Sequence, residues 1–173
     1  ILILGAFGAL VAFSIIRPNQ EPETDYSAIE TGKIIEGREE NGGIADHVRG
    51  KADSSVIVVE YADFQCPGCA SMVPHLDTIY SKYKDDVAFV FRNFPISGHA
   101  NARAASAAAE AAGKQGYFWE MYESLYTNRN SWVEKTGEAR TNTLAELFAG
   151  AAKGGDVEKF RADLSDENIL KKI

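Results

Sequence analysis

Cysteine is scarce in this sequence, which has only two, Cys66 and Cys69, among 173 residues. A small secreted domain held together by disulfides carries more cysteines at wider spacing. A bridge between residues this close closes almost no loop, so it would remove little entropy from the unfolded chain. The scarcity excludes a disulfide scaffold and indicates that the two thiols serve a chemical purpose.

Basic residues are also few, and they form no cluster. The chain has 18 Lys and Arg against 25 Asp and Glu, which gives a formal net charge of -7. Proteins that bind nucleic acid depend on clustered Lys and Arg to contact phosphates. The charge balance therefore excludes nucleic acid as a partner.

Histidine is equally sparse, with His47, His75 and His99 scattered along the chain. A zinc site needs four ligands, and no second pair of cysteines is present to supply them. We therefore predict no metal site. His75 and His99 are interpreted as helix-surface or helix-start residues.

Long apolar runs are absent except at the start, where residues 1–16 (ILILGAFGALVAFSII) carry no charge. As a helix rising ~1.5 Å per residue they span roughly 24 Å, short of a ~30 Å hydrocarbon core unless sequence is missing upstream. We predict an uncleaved transmembrane anchor. The alternative is a signal peptide, with Ala12-Phe13-Ser14 as a weak cleavage site. Residues 17–51 are rich in Pro, Glu, Asn, Gly and Lys, which is typical of a polar extracytoplasmic linker.

The ends suggest that the chain is a fragment. It begins at Ile1 and not at a methionine, and Ile173 falls inside what reads as a new helix starting near Ser165. We expect missing sequence on both sides.

The remaining residues, 52–173, are predicted to form an α/β domain. Val56 to Val59 is a β-branched run that favours a strand buried on both faces of a parallel sheet. An amphipathic helix is expected from about Pro67 to Lys84, and a second buried strand from Val87 to Phe91, which together make one βαβ unit. A helical block follows over about 99–165, in which Thr143 and Glu146 have capping-box spacing. No third strand is evident.

The sequence Cys66-Pro67-Gly68-Cys69 stands where the first strand gives way to the helix. A thiol at a helix N-terminus meets free backbone N–H groups, which favour its thiolate. Thiolate is the species that attacks disulfides. Cys69, one turn later, is close enough to form a disulfide with Cys66 or to resolve a mixed one. Pro67 suits the first helical turn, because its missing N–H costs nothing there.

Several segments in this order resemble the DsbA-like thiol–disulfide oxidoreductases: HVRGKADSSVIVVEYADFQCPGC, then NFP, then HANARAASAAAEAA and GYFWEMYESLY. The resemblance covers about residues 47–132. It implies a thioredoxin-like fold with an inserted helical block, with Cys66 as the attacking thiol and Cys69 as the resolving one. It also implies that Pro74 is the proline inside the active-site helix.

The resemblance further places Glu60 as an acid beneath the disulfide. From the residues alone two interpretations stay open: an exposed charge at the end of a strand, or a buried carboxylate that exchanges a proton with Cys69.

The sequence departs from the family in one respect. No proline follows Pro95, so the cis-proline loop and the C-terminal strands that such enzymes carry are expected to be missing here.

These features predict a thiol–disulfide oxidoreductase that acts on extracytoplasmic proteins as a disulfide-forming oxidase. The alternatives are an isomerase or reductase of the same fold, or a non-catalytic, membrane-tethered binding or chaperone module. No cofactor is expected beyond the redox-active disulfide Cys66–Cys69. The expected partners are cysteine-containing protein substrates and a membrane redox partner for recycling. The predicted location is the cell membrane, with a single pass and the domain on the extracytoplasmic side.

Overall fold

The computed structural model describes residues 33–173. The predicted anchor at residues 1–16 and residues 17–32 of the predicted linker therefore lie outside the described residues. Within residues 33–173, every helix is too short or too polar to cross a bilayer.

A three-stranded sheet organises the fold, with strands β1 (His47–Gly50), β2 (Ile57–Ala62) and β3 (Ala88–Asn93) in the order β1-β3-β2. β2 runs parallel to β3 and β1 runs antiparallel to it. β3 lies in the centre and is almost wholly buried, as predicted for that strand. The β2–helix–β3 connection confirms the predicted βαβ unit. β1 lies before residue 52, in the segment read as linker.

The expectation that the first strand is buried on both faces is wrong. β2 is only partly buried along its length, with Val56 just before it 54% exposed and Val58 37% exposed. In the described part of the chain β2 is an edge strand whose hydrogen-bonded neighbour is β3 alone. A β-branched run indicates a strand, but it determines neither the burial of its faces nor the number of its neighbours.

Seven helices account for most of the remaining residues: α1 Pro67–Tyr83, α2 Ala102–Gly113, α3 Phe118–Thr127, α4 Arg129–Trp132, α5 Gly137–Ala151, α6 Val157–Asp163 and α7 Glu167–Lys172. The active-site helix and the helical block after β3 are confirmed. The capping box is not, because Thr143 lies inside α5 and donates its hydroxyl to the Ala139 carbonyl at 2.9 Å. The last helix, expected to start near Ser165, has Asp166 as its N-cap residue.

α2 is the centre of the core because its alanines allow close approach on every side. Its single buried carboxylate, on Glu110, joins two strands of the sheet. One oxygen lies 2.7 Å from His47 Nε2 on β1, and the other accepts from Asn93 Nδ2 on β3 at 2.6 Å. Gly113 permits the contact with β1, because a Cβ there would lie 2.6 Å from a carbon of the His47 ring.

A buried ion pair ties the segment before β1 to the sheet. Asp46 accepts hydrogen bonds from Nε and a terminal nitrogen of Arg92, the closest at 2.7 Å, and one from the Ile35 amide at 2.8 Å. Lys172 of α7 approaches the same carboxylate at 3.4 Å. Burial by itself would raise the pKa of Asp46, but the hydrogen bonds from Arg92 and Ile35 outweigh it and hold the pKa below its ordinary value.

Candidate redox site

The sulfur of Cys66 caps the N-terminus of α1. β2 ends at Ala62, and after a short turn Cys66 has an extended backbone (φ -67°, ψ 122°). Pro67 then opens the helix, and Cys66 Sγ accepts a hydrogen bond from the Cys69 amide at 3.5 Å. The position is usually held by Ser, Thr, Asp or Asn, which do the same with an oxygen. Here the capping atom is the reactive one.

The two thiols have opposite electrostatic environments. The amide of Cys69, helped by that of Gly68, lowers the pKa of Cys66, against smaller opposing effects of burial and the charge on Asp63. Burial raises the pKa of Cys69, and a hydrogen bond from the Asp63 amide offsets this only in part. The thiolate therefore forms more readily on Cys66 than on Cys69.

Asp63 organises the turn that presents both cysteines. Its side chain is fully buried, and Oδ1 accepts from the Gln65 amide at 2.7 Å. Oδ2 accepts from the Ile96 amide at 2.9 Å and lies 2.7 Å from His99 Nδ1. The Asp63 carbonyl also accepts from the Cys66 amide at 3.0 Å. Asp63 was not predicted from the sequence, since its partners at Ile96 and His99 come from a distant loop.

Glu60 lies on β2 and is half-buried, so it is not an exposed charge at the end of a strand. Its place beneath the disulfide and its proton exchange with Cys69 stay predictions. Its carboxylate accepts the Tyr122 hydroxyl from α3, at 3.2 and 3.3 Å to the two oxygens. Burial raises the pKa of Glu60 to about 7, while this hydrogen bond and the nearby Arg49 act in the opposite direction. A carboxyl with such a pKa can give or take a proton near neutral pH.

Tyr126, one turn after Tyr122 on α3, has a second buried hydroxyl, whose pKa responds to the charges at Glu60 and Cys69. The two tyrosine rings meet edge to face with centroids 5.0 Å apart. Burial raises the pKa of Tyr126, and the charges at Glu60 and Cys69 raise it further, so its hydroxyl lies near both groups. This hydroxyl is buried and has no hydrogen-bond partner among residues 33–173.

The other predicted motif residues all lie on α1. Pro67 is its first residue, and a Cβ added to Gly68 would lie 3.6 Å from Cys66 Sγ, an ordinary contact. Pro74 lies inside the helix, where it cannot donate to the Ala70 carbonyl, yet α1 continues to Tyr83.

No three His, Cys, Asp or Glu side chains of residues 33–173 lie close enough together to hold a metal ion. No peptide bond in the same range is cis. His75 is exposed on α1, as predicted. His99 precedes α2, but it contacts Asp63 and thus joins the site, which the sequence did not indicate.

Comparison with known proteins identifies the family. The family model described as thioredoxin matches residues 43–173, which is most of the chain and all of the sheet and helices described above. The chain therefore belongs to the thioredoxin family.

Solved structures show the same fold. The oxidised form of BdbD from Bacillus subtilis superposes with a TM-score of 0.61 at 24% identity, covering 82% of this chain and 75% of that one. The alpha-DsbA1 protein of Wolbachia pipientis superposes with a TM-score of 0.60 at 21% identity, covering 74% of this chain and 63% of that one. A thioredoxin-like oxidoreductase from Silicibacter pomeroyi superposes with a TM-score of 0.58 at 23% identity, covering 77% of this chain and 71% of that one. With the family match, these likenesses confirm the predicted thioredoxin-like fold.

Curated relatives match by sequence over a segment only. The Na(+)/H(+) antiporter NhaA 1 of Mycolicibacterium gilvum is 36% identical over 122 residues, which is 69% of this chain and 18% of the relative. The protein of the same name from Salinispora arenicola is 37% identical over 123 residues, which is 70% of this chain and 17% of the relative. The chain thus spans less than a fifth of the length of these relatives, and the likeness concerns a part about the size of one domain.

The raised pKa of Glu60 predicts a pH-dependent stability difference in Glu60→Gln. The folded state holds the Glu60 proton more tightly than the unfolded chain, so the wild-type carboxyl contributes stability below about pH 4.5 that is lost as pH rises through about 7. Glutamine does not ionise. Urea unfolding should therefore show the variant gaining stability relative to wild type between pH 5 and pH 8.

Glu120→Gln is the matched control, because it removes an exposed carboxyl from the start of α3. It should follow the wild-type pH profile. Parallel profiles for Glu60→Gln and wild type would show that Glu60 ionises in the folded state as readily as in the unfolded chain.

Proposed function

We propose that this chain catalyses thiol–disulfide exchange with cysteine-containing proteins through Cys66 and Cys69, and that it acts as a disulfide-forming oxidase. The observation that carries the proposal is the cap of α1, where the Cys69 amide donates to the sulfur of Cys66. The same contact that starts the helix stabilises the thiolate of the reduced enzyme. Stabilising the reduced form makes the disulfide form a stronger oxidant.

In the oxidising direction the reaction begins with the disulfide Cys66–Cys69. A substrate thiolate attacks Cys66 Sγ, the bond between the two cysteines breaks, and Cys69 leaves with the electron pair. A second substrate thiolate then attacks the substrate sulfur of this mixed disulfide and releases Cys66 as a thiolate. The substrate loses two electrons and two protons and gains a disulfide, and the enzyme is left as a dithiol. A membrane redox partner would then reoxidise it.

Glu60 would donate a proton to the Cys69 sulfur or accept one from it. Because burial raises the pKa of Cys69, the departing sulfur takes up a proton, and it must lose that proton again when it attacks in the reverse direction. Glu60, with its pKa of about 7, can supply or accept this proton. The Tyr122 hydroxyl donates to this carboxyl and would hold it in place.

The same atoms can run the reaction in reverse, so an isomerase or reductase is the nearest alternative. The stabilised Cys66 thiolate favours the oxidase, because an enzyme whose reduced form is stable transfers its disulfide readily. A non-catalytic binding module is the alternative from another class. It would keep its partners after both thiols are alkylated, whereas an oxidoreductase would lose its activity.

Two single substitutions test the roles of the cysteines. Cys66→Ser should abolish exchange with a disulfide-containing peptide, because no attacking thiol remains. Cys69→Ser should accumulate long-lived mixed disulfides, because Cys66 still attacks and nothing resolves the product. Mass spectrometry under non-reducing conditions measures both, with the double serine variant as the baseline. Exchange that persists in Cys66→Ser would refute the mechanism.

We also propose that the domain works outside the cytoplasm, held by residues 1–16 as a single membrane pass. The support is the uncharged apolar sequence of that segment and the need of an oxidase for a compartment where disulfides persist. Both the anchor and the side of the membrane are inferences from these two features.

Reporter fusions test the location. A reporter that is active only after disulfide formation outside the cytoplasm, fused after Ile173, should give a strong signal in intact cells. A second reporter that is active only in the cytoplasm, fused at the same place, should give none. The reverse pattern would place the domain in the cytoplasm and remove the support for an oxidase.

A further inference from the structure

The loop between β3 and α2, residues 94–101, contacts the turn that carries the cysteines. Two of its groups contact the same buried oxygen, Oδ2 of Asp63: the Ile96 amide at 2.9 Å and His99 Nδ1 at 2.7 Å. The His99 side chain is 28% exposed, whereas the Asp63 side chain is not exposed at all. The partially exposed His99 ring therefore provides one of the contacts of the fully buried Asp63 carboxylate.

The direction of this hydrogen bond follows from the other partners of Asp63. Its remaining contacts are with the N–H groups of Gln65 and Ile96, so the carboxylate acts as an acceptor throughout. A carboxylate accepts only, and Nδ1 of His99 therefore carries a hydrogen whether the ring is neutral or protonated. Of the three donors, His99 is the one side chain, and so the one that a substitution can remove.

The charge on Asp63 affects both thiols. It raises the pKa of Cys66 and that of Cys69, so it opposes the stabilisation that the helix N-terminus gives to the Cys66 thiolate. A hydrogen bond from a side chain such as His99 draws some of this negative charge away from the cysteines. The Asp63 backbone must nevertheless stay in place, because its carbonyl accepts from the Cys66 amide at 3.0 Å.

We propose that His99 is a positioning residue for the redox pair, which donates from Nδ1 to buried Asp63 and so offsets the negative charge beneath Cys66 and Cys69. This inference rests on the proposed function, since it assigns His99 to the same site. His99 touches neither cysteine and acts through Asp63.

A second contact between the same two segments provides a control. The Asn101 amide donates to Gln65 Oε1 at 2.7 Å, which also ties the region before α2 to the cysteine turn. Gln65→Ala removes this tie but leaves the three donors of Asp63 unchanged. It therefore reports the effect of loosening the loop without altering the partners of the buried charge.

The test compares three substitutions of His99 in the reduced, full-length protein. Asn places an amide donor near the position of Nδ1, Gln carries its donor farther out, and Leu has none. The readouts are the pKa of Cys66, from the ultraviolet absorbance of the thiolate, and the equilibrium constant with glutathione. His99→Leu and His99→Gln should raise the Cys66 pKa and shift the equilibrium toward the oxidised protein by roughly three- to tenfold. His99→Asn should stay close to wild type, and so should Gln65→Ala.

Three outcomes would overturn the inference. His99→Leu and His99→Gln could both fold and leave the Cys66 pKa unchanged. All three His99 variants could shift it equally, or Gln65→Ala could match His99→Leu, in which case loop packing and not the donor would matter. The titration requires no catalysis, so it also separates this inference from the proposed function, which fails if Cys66→Ser retains exchange.

Discussion

The hydrogen bond from the Cys69 amide to the Cys66 sulfur depends on α1 starting at the residue that carries the reactive thiol. That start is determined by its neighbours in the chain. β2 ends at Ala62, Asp63 turns the backbone, and Pro67 can occupy the first helical position but few later ones. Contacts of Asp63 with Ile96 and His99, and of Gln65 with Asn101, then hold the turn in place. The chemistry of the site is thus a consequence of where one helix begins.

Two carboxyl groups, one on β2 and one in the turn that follows it, differ in their surroundings. Asp63 is fully buried and meets three N–H donors, which suits a fixed acceptor that shapes the turn. Glu60 is half-buried and meets one tyrosine hydroxyl, so burial dominates and its pKa rises to about 7. One group therefore shapes the turn, while the other can exchange a proton near neutral pH.

The features that the sequence predicts well are local. Regular apolar spacing identified α1, and a continuous apolar run identified β3, since each pattern reflects burial of one element. The CPGC spacing located the reactive pair because a few neighbouring residues determine both the turn and the start of the helix. β1 was missed because four residues of mixed polarity carry almost no periodic signal. Thr143 shows the converse, since capping-box spacing recurs inside helices by chance.

Features that depend on distant residues could not be predicted from the residues alone. His99 meets Asp63 across 36 positions of the chain, and Tyr122 meets Glu60 across 62. The edge position of β2 also depends on which strands pair with it, and a single strand sequence does not specify its neighbours. The resemblance to DsbA-like enzymes supplied the place of Glu60, but not its tyrosine partner.

The most direct test of the account is the rate at which iodoacetamide labels each cysteine of the reduced protein as pH is varied, followed by peptide mass mapping. The N-cap environment predicts that Cys66 is labelled first, with an apparent pKa below the ~8.5 of a free thiol. Cys69 should react later and only at higher pH, because burial raises its pKa. Faster labelling of Cys69, or equal pH profiles for the two thiols, would contradict the assignment of Cys66 as the attacking residue.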